Sequence, residues 1–391
     1  MEKFDVAVVG LGAFGSATVW QAARKGAKVI GFEQFEFGHV HGASHDTSRI
    51  VRTSYDAPQY VALAKSAYRE WRELEQCAGV KLLTVTGGVV LFTNDRPSSS
   101  SSVKATDYTA SLEANNVPYE LLTAQQAKNR WPQFGLSENA DVVYTADTGI
   151  AHAAKSVMTM QFMARTHGAV LKENTSVIEV VPLAGPDKGV LVKTAQGTFQ
   201  ANKVVLAADA WTNKLLAPLG VHIPLQIMQE QVTYFKPADP AAFEPGNFPV
   251  WIAFTEGKTF YGFPTFGEPT IKAARDSSEN LMTPEQRTYA HSPELLHELT
   301  TFMGGLVPSH RLESLRTVTC QYAITPDRQF VLGPLENHPD IIVGLGAGHG
   351  FKFAPVIGRV MAELAINGKT TEDISNFGIP PSQPSLLQGK L

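Results

Sequence analysis

Three glycines, Gly10, Gly12 and Gly15, directly follow a short apolar run, and their spacing constrains the fold of the chain more than any other feature. Residues 4–9 predict a buried strand of the parallel type. Residues 16–25 then predict a helix that ends at Gly26. A strand–turn–helix in this order is the setting in which a glycine pattern of this kind carries meaning.

The glycine spacing predicts a dinucleotide-binding turn. Gly10 permits the tight turn, Gly12 lets the backbone approach a pyrophosphate, and Gly15 lets the helix pack closely on the strand. The first helical N–H groups would bind the phosphates. Glu33 ends the second predicted strand, 28–32, where a carboxylate can accept hydrogen bonds from ribose hydroxyls. Ala13 and Phe14 complete the predicted cofactor turn. By itself the motif does not separate NAD from FAD.

A second glycine-rich segment, 344–353, follows the last predicted strand and opens a helix. A helix N-terminus there could stabilise negative charge on a reduced isoalloxazine ring. Lys352 would add a point charge at the same place. The alternative is an ordinary glycine turn with a surface lysine. The segment favours a flavin over a nicotinamide cofactor.

The charge balance excludes several classes of partner. A net charge of −4 in 391 residues gives no basic surface for nucleic acid or for an anionic membrane. No apolar run reaches the ~20 residues that span a bilayer.

With only Cys77 and Cys320, no disulfide framework is indicated, so we expect an intracellular, cytoplasmic protein. The final residues 389–391 loosely resemble a peroxisomal address, which makes the peroxisome the alternative. The His residues form no metal-ligand cluster.

The order of predicted elements indicates an α/β fold with a β-rich part. Parallel-type strands fall at the start, middle and end of the chain, and a β-rich stretch covers 228–275. Helices are predicted at 58–78, 123–131, 153–168, 284–303 and 353–366, and the five serines at 98–102 predict a surface loop. We therefore expect a Rossmann-like cofactor domain of discontinuous segments with an inserted antiparallel-sheet substrate domain. The expected cofactor-domain segments are 1–85, 150–225 and 325–391, and the substrate-domain segments are 86–149 and 226–324.

Several longer motifs occur in a characteristic order. They are the N-terminal fingerprint, Gly42-Ala43-Ser44-His45 running to Arg49-Ile50-Val51-Arg52, Ala210-Trp211-Thr212-Asn213, Tyr261-Gly262-Phe263-Pro264, Thr319-Cys320-Gln321-Tyr322 and Gly348-His349-Gly350-Phe351-Lys352. On these motifs the chain resembles the monomeric sarcosine oxidase family, part of the D-amino-acid-oxidase-like group. Its relatives include N-methyltryptophan, L-pipecolate and fructosyl amino acid oxidases. The resemblance covers nearly the whole chain.

The resemblance implies how FAD is held. Cys320 stands where the family carries FAD as a thioether to the flavin 8α carbon. From the residue alone, Cys320 would be a buried small hydrophobe. His45 and Arg49 match residues that lie against the flavin, although Arg49 alone would be a surface basic residue. The further cofactor contacts implied are Ser44, Val177, Trp211, Gly346, Gly348, His349, Gly350, Phe351 and Lys352.

The resemblance also implies substrate and oxygen sites. Arg52 and Lys352 match the two cations that grip the substrate carboxylate, with a planar fork and a point charge respectively. Lys272 matches the lysine near flavin N5 that assists electron transfer to oxygen, although alone it would be an ordinary strand lysine. Tyr261 is expected to contact substrate, and Tyr322 joins Lys272, His45 and Arg49 in the expected catalytic group.

Two departures from the family pattern concern the same sites. Sarcosine and N-methyltryptophan oxidases have a His four residues after the lysine, whereas this chain has Asp276. The substrate pocket is therefore expected to be altered, with Asp276 in contact with substrate. Asp209 stands where the segment before Trp211 usually has Gly, and the sequence offers no physical account of it.

The expected function is that of an FAD-dependent oxidase of a secondary-amine amino acid of the sarcosine, N-alkyl amino acid or pipecolate type. Hydride would pass to the flavin, water would hydrolyse the imine, and O2 would become H2O2. The alternatives are a fructosyl amino acid oxidase, a flavin dehydrogenase with another acceptor, and a flavoprotein that only stores or senses its cofactor. The expected partners are the amino acid and O2, with no nucleic acid, membrane or metal, and the protein is expected to be a monomer.

Overall fold

The structure is a computed structural model that describes residues 2–92, 103–184, 189–255 and 257–380. The predicted serine loop at 98–102 and the final tripeptide at 389–391 lie outside the described residues. No helix in the described ranges is both long and apolar enough to cross a bilayer.

The described residues form 19 strands and 8 α-helices. In chain order the elements are β1 (Lys3–Val9), α1 (Ala13–Arg24), β2 (Val29–Phe32), β3 (Ser48–Val51), α2 (Pro58–Ala78), β4 (Leu83–Val85), β5 (Gly88–Phe92), α3 (Ala105–Ala114), β6 (Glu120–Thr123), α4 (Ala124–Arg130), β7 (Asp141–Thr145), β8 (Gly149–His152), α5 (Ala153–Thr166), β9 (Val170–Lys172), β10 (Val177–Pro182), β11 (Val190–Thr194), β12 (Gly197–Leu206), α6 (Thr212–Leu216), β13 (Gln226–Pro237), β14 (Val250–Thr255), β15 (Lys258–Phe263), β16 (Ile271–Asp276), α7 (Pro293–Leu306), β17 (Leu312–Ile324), β18 (Val331–Leu335), β19 (His338–Leu345) and α8 (Ala354–Asn367).

Strand β1 lies inside an eight-stranded sheet, and its side chains from Val6 to Val8 are completely buried. β12 and β2 flank it in parallel, and β9 continues the sheet in parallel beyond β2. β12 is long enough to pair with β11 along its first half and with β19 along its second half. Because the carboxyl ends of β1, β12 and β19 meet at one edge, the loops that follow them come together there.

Helices α1 and α8 pack on this sheet and against each other. Ten of the 12 residues of α1 are buried. A Cβ atom at Gly358 of α8 would lie only 2.4 Å from Cβ of Ala17 in α1, so the two helices can approach this closely only because residue 358 is glycine. The two ends of the chain thus build one layer, as the sequence predicted.

The second large sheet has the order β17-β13-β16-β15-β14-β5-β7-β6. Its pairs are antiparallel, as predicted, except that β14 and β5 run parallel. β13 and β17 pair along their full length, from Gln226 opposite Ile324 to Pro237 opposite Leu312. One face of this sheet packs on α4 and α7 through Trp131, Leu299 and Met303. The other face lines a cavity, to which Tyr261, Lys272 and Cys320 contribute.

The helix predicted at 284–303 is wrong in its first half. The structure has a short 3-10 turn at Pro284–Gln286, and α7 begins only at Pro293. Ser292 caps α7 by accepting a hydrogen bond from the N–H of Leu295 at 3.2 Å. The side chain of Gln229 binds the intervening residues outside a helix, because its Oε1 accepts from the N–H of Thr288 at 3.0 Å. A long-range contact therefore overrides the local helical pattern.

Candidate active site

The turn after β1 is closely packed beneath its backbone. Gly10 has a φ of 87°, and a Cβ atom there would lie 2.5 Å from the carbonyl oxygen of Ala207. A Cβ atom at Gly15 would lie 1.7 Å from the carbonyl oxygen of Gly10, so α1 begins in direct contact with the turn. Gly12 has the Ser44 hydroxyl 3.0 Å from its Cβ position. Gly10 and Gly15 are therefore required by the close backbone, and Gly10 also by its conformation, whereas a side chain at Gly12 would displace the Ser44 hydroxyl.

The backbone donors of this turn are partly bound by side chains. The N–H of Leu11 donates to Glu33 Oε2 and the N–H of Ala13 donates to Ser44 Oγ, both at 2.9 Å. Glu33 Oε1 also lies 3.4 Å from His39 Nε2. A carboxylate has about four acceptor positions, so Glu33 keeps capacity to accept from a hydroxyl in the cavity. Ser44 acts in the structure as a support of the α1 N-terminus.

The second glycine turn packs against the first. A Cβ atom at Gly350 would lie 2.6 Å from Cζ of Phe14, and one at Gly348 would lie 2.8 Å from Cδ2 of Tyr322. Phe14 belongs to α1 and Tyr322 to β17, so this turn joins α1, which packs on the first sheet, to the second sheet. It leads into a 3-10 turn at Phe351–Phe353 and then into α8.

The structure brings nearly all of the sequence-predicted site residues to one cavity. Gly15 is the exception, because it lies beneath the turn. The predicted residues on the cavity wall are Gly10, Gly12, Ala13, Phe14, Glu33, Ser44, His45, Arg49, Arg52, Val177, Trp211, Tyr261, Lys272, Asp276, Cys320, Tyr322, Gly346, Gly348, His349, Gly350, Phe351 and Lys352.

His45 and Arg49 lie on the segment that enters β3. Arg49 donates to the carbonyl oxygens of Ser48 and Ala43, both at 2.9 Å, which fixes its side chain. Burial and then the Arg49 charge lower the pKa of His45 to about 4, so its ring is neutral near pH 7. Its Nε2 atom is buried and has no hydrogen-bond partner among the described residues. A buried, unpaired ring nitrogen at a cavity wall fits a site that receives a polar ligand.

Lys272 lies on β16 and is almost completely buried. Its Nζ atom lies 2.6 Å from Asp46 Oδ2, 3.0 Å from the carbonyl oxygen of Ser48 and 3.1 Å from Ser48 Oγ. Burial lowers the pKa of Lys272 to about 8, although the Asp46 charge opposes this shift. The sequence reasoning missed Asp46, and its only signal was its position between His45 and Arg49.

Cys320 lies on β17, directly opposite Glu230 of β13. Residues opposite each other in an antiparallel pair have side chains on one face, so the two groups are neighbours. Burial raises the pKa of Cys320 to about 11, partly offset by the Arg49 charge. The thiol is therefore protonated at neutral pH. Burial also raises the pKa of Glu230 to about 7, although its carboxylate accepts hydrogen bonds from Ser278.

Arg52 and Lys352 meet at one aromatic ring. The guanidinium carbon of Arg52 lies 4.0 Å from the ring centroid of Tyr55, and Lys352 Nζ lies 5.8 Å from the same centroid. Lys352 Nζ donates to the carbonyl oxygen of His349 at 2.8 Å, and Trp71 donates to the carbonyl oxygen of Lys352 at 2.8 Å. Burial and then the Arg52 charge hold the pKa of Lys352 well below its usual range. A bound carboxylate would relieve this repulsion.

Asp276 is paired in the structure. Arg328 Nη2 donates to both of its carboxylate oxygens, at 3.1 and 3.2 Å, and Arg328 also lines the cavity. The sequence reasoning missed Arg328, which follows Pro326 and Asp327 in a loop that carries no local signal. His349 Nε2 lies 3.1 Å from the Arg328 carbonyl oxygen, so this loop is connected to the second glycine turn.

Asp209 lies beside the first glycine turn. It has a φ of 45°, a conformation that glycine adopts at little cost. Burial raises its pKa to about 6, and its Oδ2 atom is buried without a hydrogen-bond partner among the described residues. The structure explains why glycine suits this position, but it gives no reason for a carboxylate there.

A model of the DAO family, described as FAD dependent oxidoreductase, matches residues 5–364. Monomeric sarcosine oxidase of Bacillus sp. (strain NS-129) is 31% identical over 382 residues, which cover 96% of each chain.

Two solved structures are similar along almost the whole chain. NikD, an unusual amino acid oxidase essential for nikkomycin biosynthesis, has a TM-score of 0.84 at 29% identity and covers 97% of this chain and 98% of its own. L-proline dehydrogenase from P. horikoshii has a TM-score of 0.82 at 25% identity and covers 96% of this chain and 97% of its own.

Proposed function

Because the chain belongs to the DAO family of FAD-dependent oxidoreductases, we propose that it oxidises the C–N bond of a secondary-amine amino acid of the sarcosine, N-alkyl amino acid or pipecolate type. The products are an imine, which water hydrolyses, and hydrogen peroxide from O2. The observation that carries this proposal is the pair of buried cations, Arg52 and Lys352, in the same cavity as the two glycine turns.

The residues of the cavity fit FAD. The turn at Gly10 to Gly15 has glycine at three of its positions and leads directly into the N-terminus of α1, which suits a pyrophosphate. Glu33 can accept from a ribose hydroxyl, and the unpaired Nε2 of His45 supports a polar ring nearby. When bound, FAD supplies the two-electron acceptor for the substrate and the electron donor for oxygen.

Arg52 and Lys352 would bind the substrate carboxylate. A charge-assisted hydrogen bond to each cation orients the amine and the adjacent C–H bond toward the cofactor side of the cavity. The same fixed positive charges lower the pKa of the substrate amine, which favours the neutral form that can release electrons. The expected contacts of Tyr261 and Tyr322 with substrate and cofactor belong to this proposal.

Lys272 would assist the reduction of oxygen. A fixed cation in a buried site stabilises negative charge on oxygen as it is reduced, and little reorganisation is needed. His45 and Arg49 would lie against the flavin from the β3 side. The Arg49 charge lowers the pKa of both Cys320 and Lys272.

We further propose that Cys320 binds FAD covalently. The support is its position on the cavity wall. The Arg49 charge only partly offsets the effect of burial on the Cys320 pKa, so the thiol must lose its proton when the thioether bond forms. The proposed domain division has the FAD-binding segments 1–85, 150–225 and 325–391, and the substrate segments 86–149 and 226–324. We also propose that the protein is a monomer and that it is located in the cytoplasm, with the peroxisome as the alternative location.

Anaerobic mixing with candidate amino acids tests the function. Sarcosine, longer N-alkyl amino acids, L-pipecolate and L-proline should be compared, and bleaching of the yellow flavin absorbance identifies a substrate. Fructosyl amino acids belong in the same screen, because the Asp276–Arg328 pair could bind sugar hydroxyls. If no compound of these classes bleaches the flavin, the proposed function is wrong.

A dehydrogenase is the second candidate, and the similarity to L-proline dehydrogenase from P. horikoshii favours it. The two candidates differ in the electron acceptor. An oxidase forms one peroxide for each substrate molecule oxidised in air, whereas a dehydrogenase forms little peroxide and needs an added dye. Measured peroxide yield therefore separates them.

A further inference from the structure

We propose that Asp46 is a positioning residue for oxygen reduction, and that it holds the Lys272 ammonium charged and fixed at the cavity wall. This inference rests on the proposed function, in which Lys272 assists the reduction of oxygen. It assigns a role to the Asp46 carboxylate, which has no part in the proposed binding of FAD or of the substrate.

The contact between the two side chains is close and buried. Asp46 Oδ2 lies 2.6 Å from Lys272 Nζ, and the two side chains are 10% and 4% exposed. The remaining donors of the ammonium are within reach of the carbonyl oxygen and Oγ of Ser48. An ammonium has three N–H donors, so these acceptors fix its position.

Asp46 is itself held from two sides. Tyr234 of β13 donates to Asp46 Oδ1 at 2.6 Å. The carbonyl oxygens of Asp46 and Thr47 accept hydrogen bonds from the N–H groups of Ala154 and Ala153, both at 3.1 Å. These N–H groups lie at the start of α5, where the helix itself provides no acceptor for them. The segment before β3 is therefore anchored on a helix end.

The backbone of Asp46 is in an unfavourable conformation. Its φ is 79°, in the left-handed region that costs energy for a residue with a side chain. Such a conformation persists only where other contacts hold it, and it occurs often at functional sites. Here that conformation places the Asp46 carboxylate in contact with the Lys272 ammonium.

The charges around the pair show why the carboxylate matters. The Arg49 charge from β3 lowers the pKa of Lys272, and His45 is neutral near pH 7. Cys320 from β17 is protonated, and the Tyr234 hydroxyl is neutral. Farther out, Glu268 and Arg316 pair with each other. Asp46 is therefore the charged group that opposes the burial of Lys272.

The inference has a directional consequence. Lys272 has a pKa of about 8 in the presence of Asp46. An opposite charge at this distance raises the pKa of a lysine by about 1–3. Without the Asp46 charge, the pKa of Lys272 would therefore fall to about 7 or below, and its amine would be mostly neutral at pH 7.5. Oxygen would still take two electrons and two protons to form peroxide, but without a fixed cation beside it.

The test compares Asp46→Asn with wild-type holoenzyme. Asn tolerates the left-handed conformation about as well as Asp, so the fold is retained. The flavin is reduced anaerobically with substrate and then mixed with oxygenated buffer across a pH range. Reoxidation of the variant near pH 7.5 should be at least about threefold slower, and its pH midpoint should lie at least about one unit lower. Acidification should restore its rate, which a structural defect would not allow.

Two further variants separate the sources of failure. Glu268→Gln removes a nearby negative charge that does not contact Lys272, so its pH midpoint should match the wild type. Lys272→Met should slow reoxidation at every pH and should not respond to acidification. An unchanged midpoint in Asp46→Asn overturns the role of Asp46. If Lys272→Met also reoxidises normally, the role of Lys272 in the proposed function fails instead.

Discussion

Arg328 Nη2 lies 3.1 Å from Asp276 Oδ1 in the wall of the candidate active-site cavity. Because the pair is partly exposed, it contributes little to stability, about 0–1 kcal/mol. Its effect should appear in substrate binding instead.

Replacement of Arg328 should weaken binding of the amino acid substrate. In Arg328→Met the Asp276 carboxylate is left unpaired and faces the substrate carboxylate, which it repels. We expect KM to rise about tenfold, equal to about 1.4 kcal/mol, with a smaller change in kcat. Steady-state kinetics measures this, and Arg328→Lys is the control that keeps the charge. Equal KM values in all three proteins would contradict the prediction.

Loss of Arg52 should be more severe than loss of Arg328. A charge-assisted hydrogen bond is worth about 1.5–3 kcal/mol, so Arg52→Met should weaken substrate binding by about 10- to 100-fold. Arg52→Lys should recover only part of this, because a lysine lacks the planar fork. Anaerobic titration of the flavin absorbance with substrate gives the affinity. Tight binding to Arg52→Met would place the carboxylate elsewhere.

Covalent attachment of FAD should depend on Cys320 alone. After acid precipitation, yellow colour should remain with the wild-type pellet and should move to the supernatant in Cys320→Ser. Cys77→Ser is the matched control, because Cys77 is exposed and lies outside the cavity. Its pellet should stay yellow. Free flavin from the wild-type protein would remove the covalent bond from the proposal but would leave bound FAD intact.

Gly15→Ala should destabilise the protein and reduce its FAD content. The new Cβ atom would meet the Gly10 carbonyl oxygen at 1.7 Å, so the turn and α1 must separate. Gly304→Ala is the control, because Gly304 lies in α7 with nothing within 4 Å of its Cβ position. This change should stabilise the helix by about 0.5–1 kcal/mol. Thermal unfolding and the flavin-to-protein absorbance ratio measure both effects.

The stability of the protein should fall as the pH rises through about 7. Burial raises the pKa of Glu230 from its usual 4.5 to about 7. A raised carboxyl pKa means that the folded state binds the proton more tightly, so this stabilisation is full below about pH 4.5 and is lost by about pH 7. Its size is at most about 3 kcal/mol. In Glu230→Gln the decline of the melting temperature between these pH values should be smaller, and a parallel decline in both proteins would contradict the assignment.

Local patterns predicted the first unit of the fold because its determinants are adjacent in sequence. The turn at Gly10 to Gly15 and the strand β2 that ends before Glu33 needed no distant contact. The first half of the helix predicted at 284–303 was wrong because Gln229, more than fifty residues away, binds the backbone of Thr288. Asp46 and Arg328 were missed for the same reason. Their partners, Lys272 and Asp276, lie far away in sequence, and no periodicity reports such a pair.

The close contact between Ala17 and Gly358 joins the first helix of the chain to the last one described. The glycine turn at Gly10 is made early in synthesis, but the turn at Gly346 to Gly350 and α8 are made much later. A nascent chain that has not reached the second turn therefore lacks part of the cavity wall. Flavin loading should follow the synthesis of α8, and truncation before α8 should yield a colourless, protease-sensitive product.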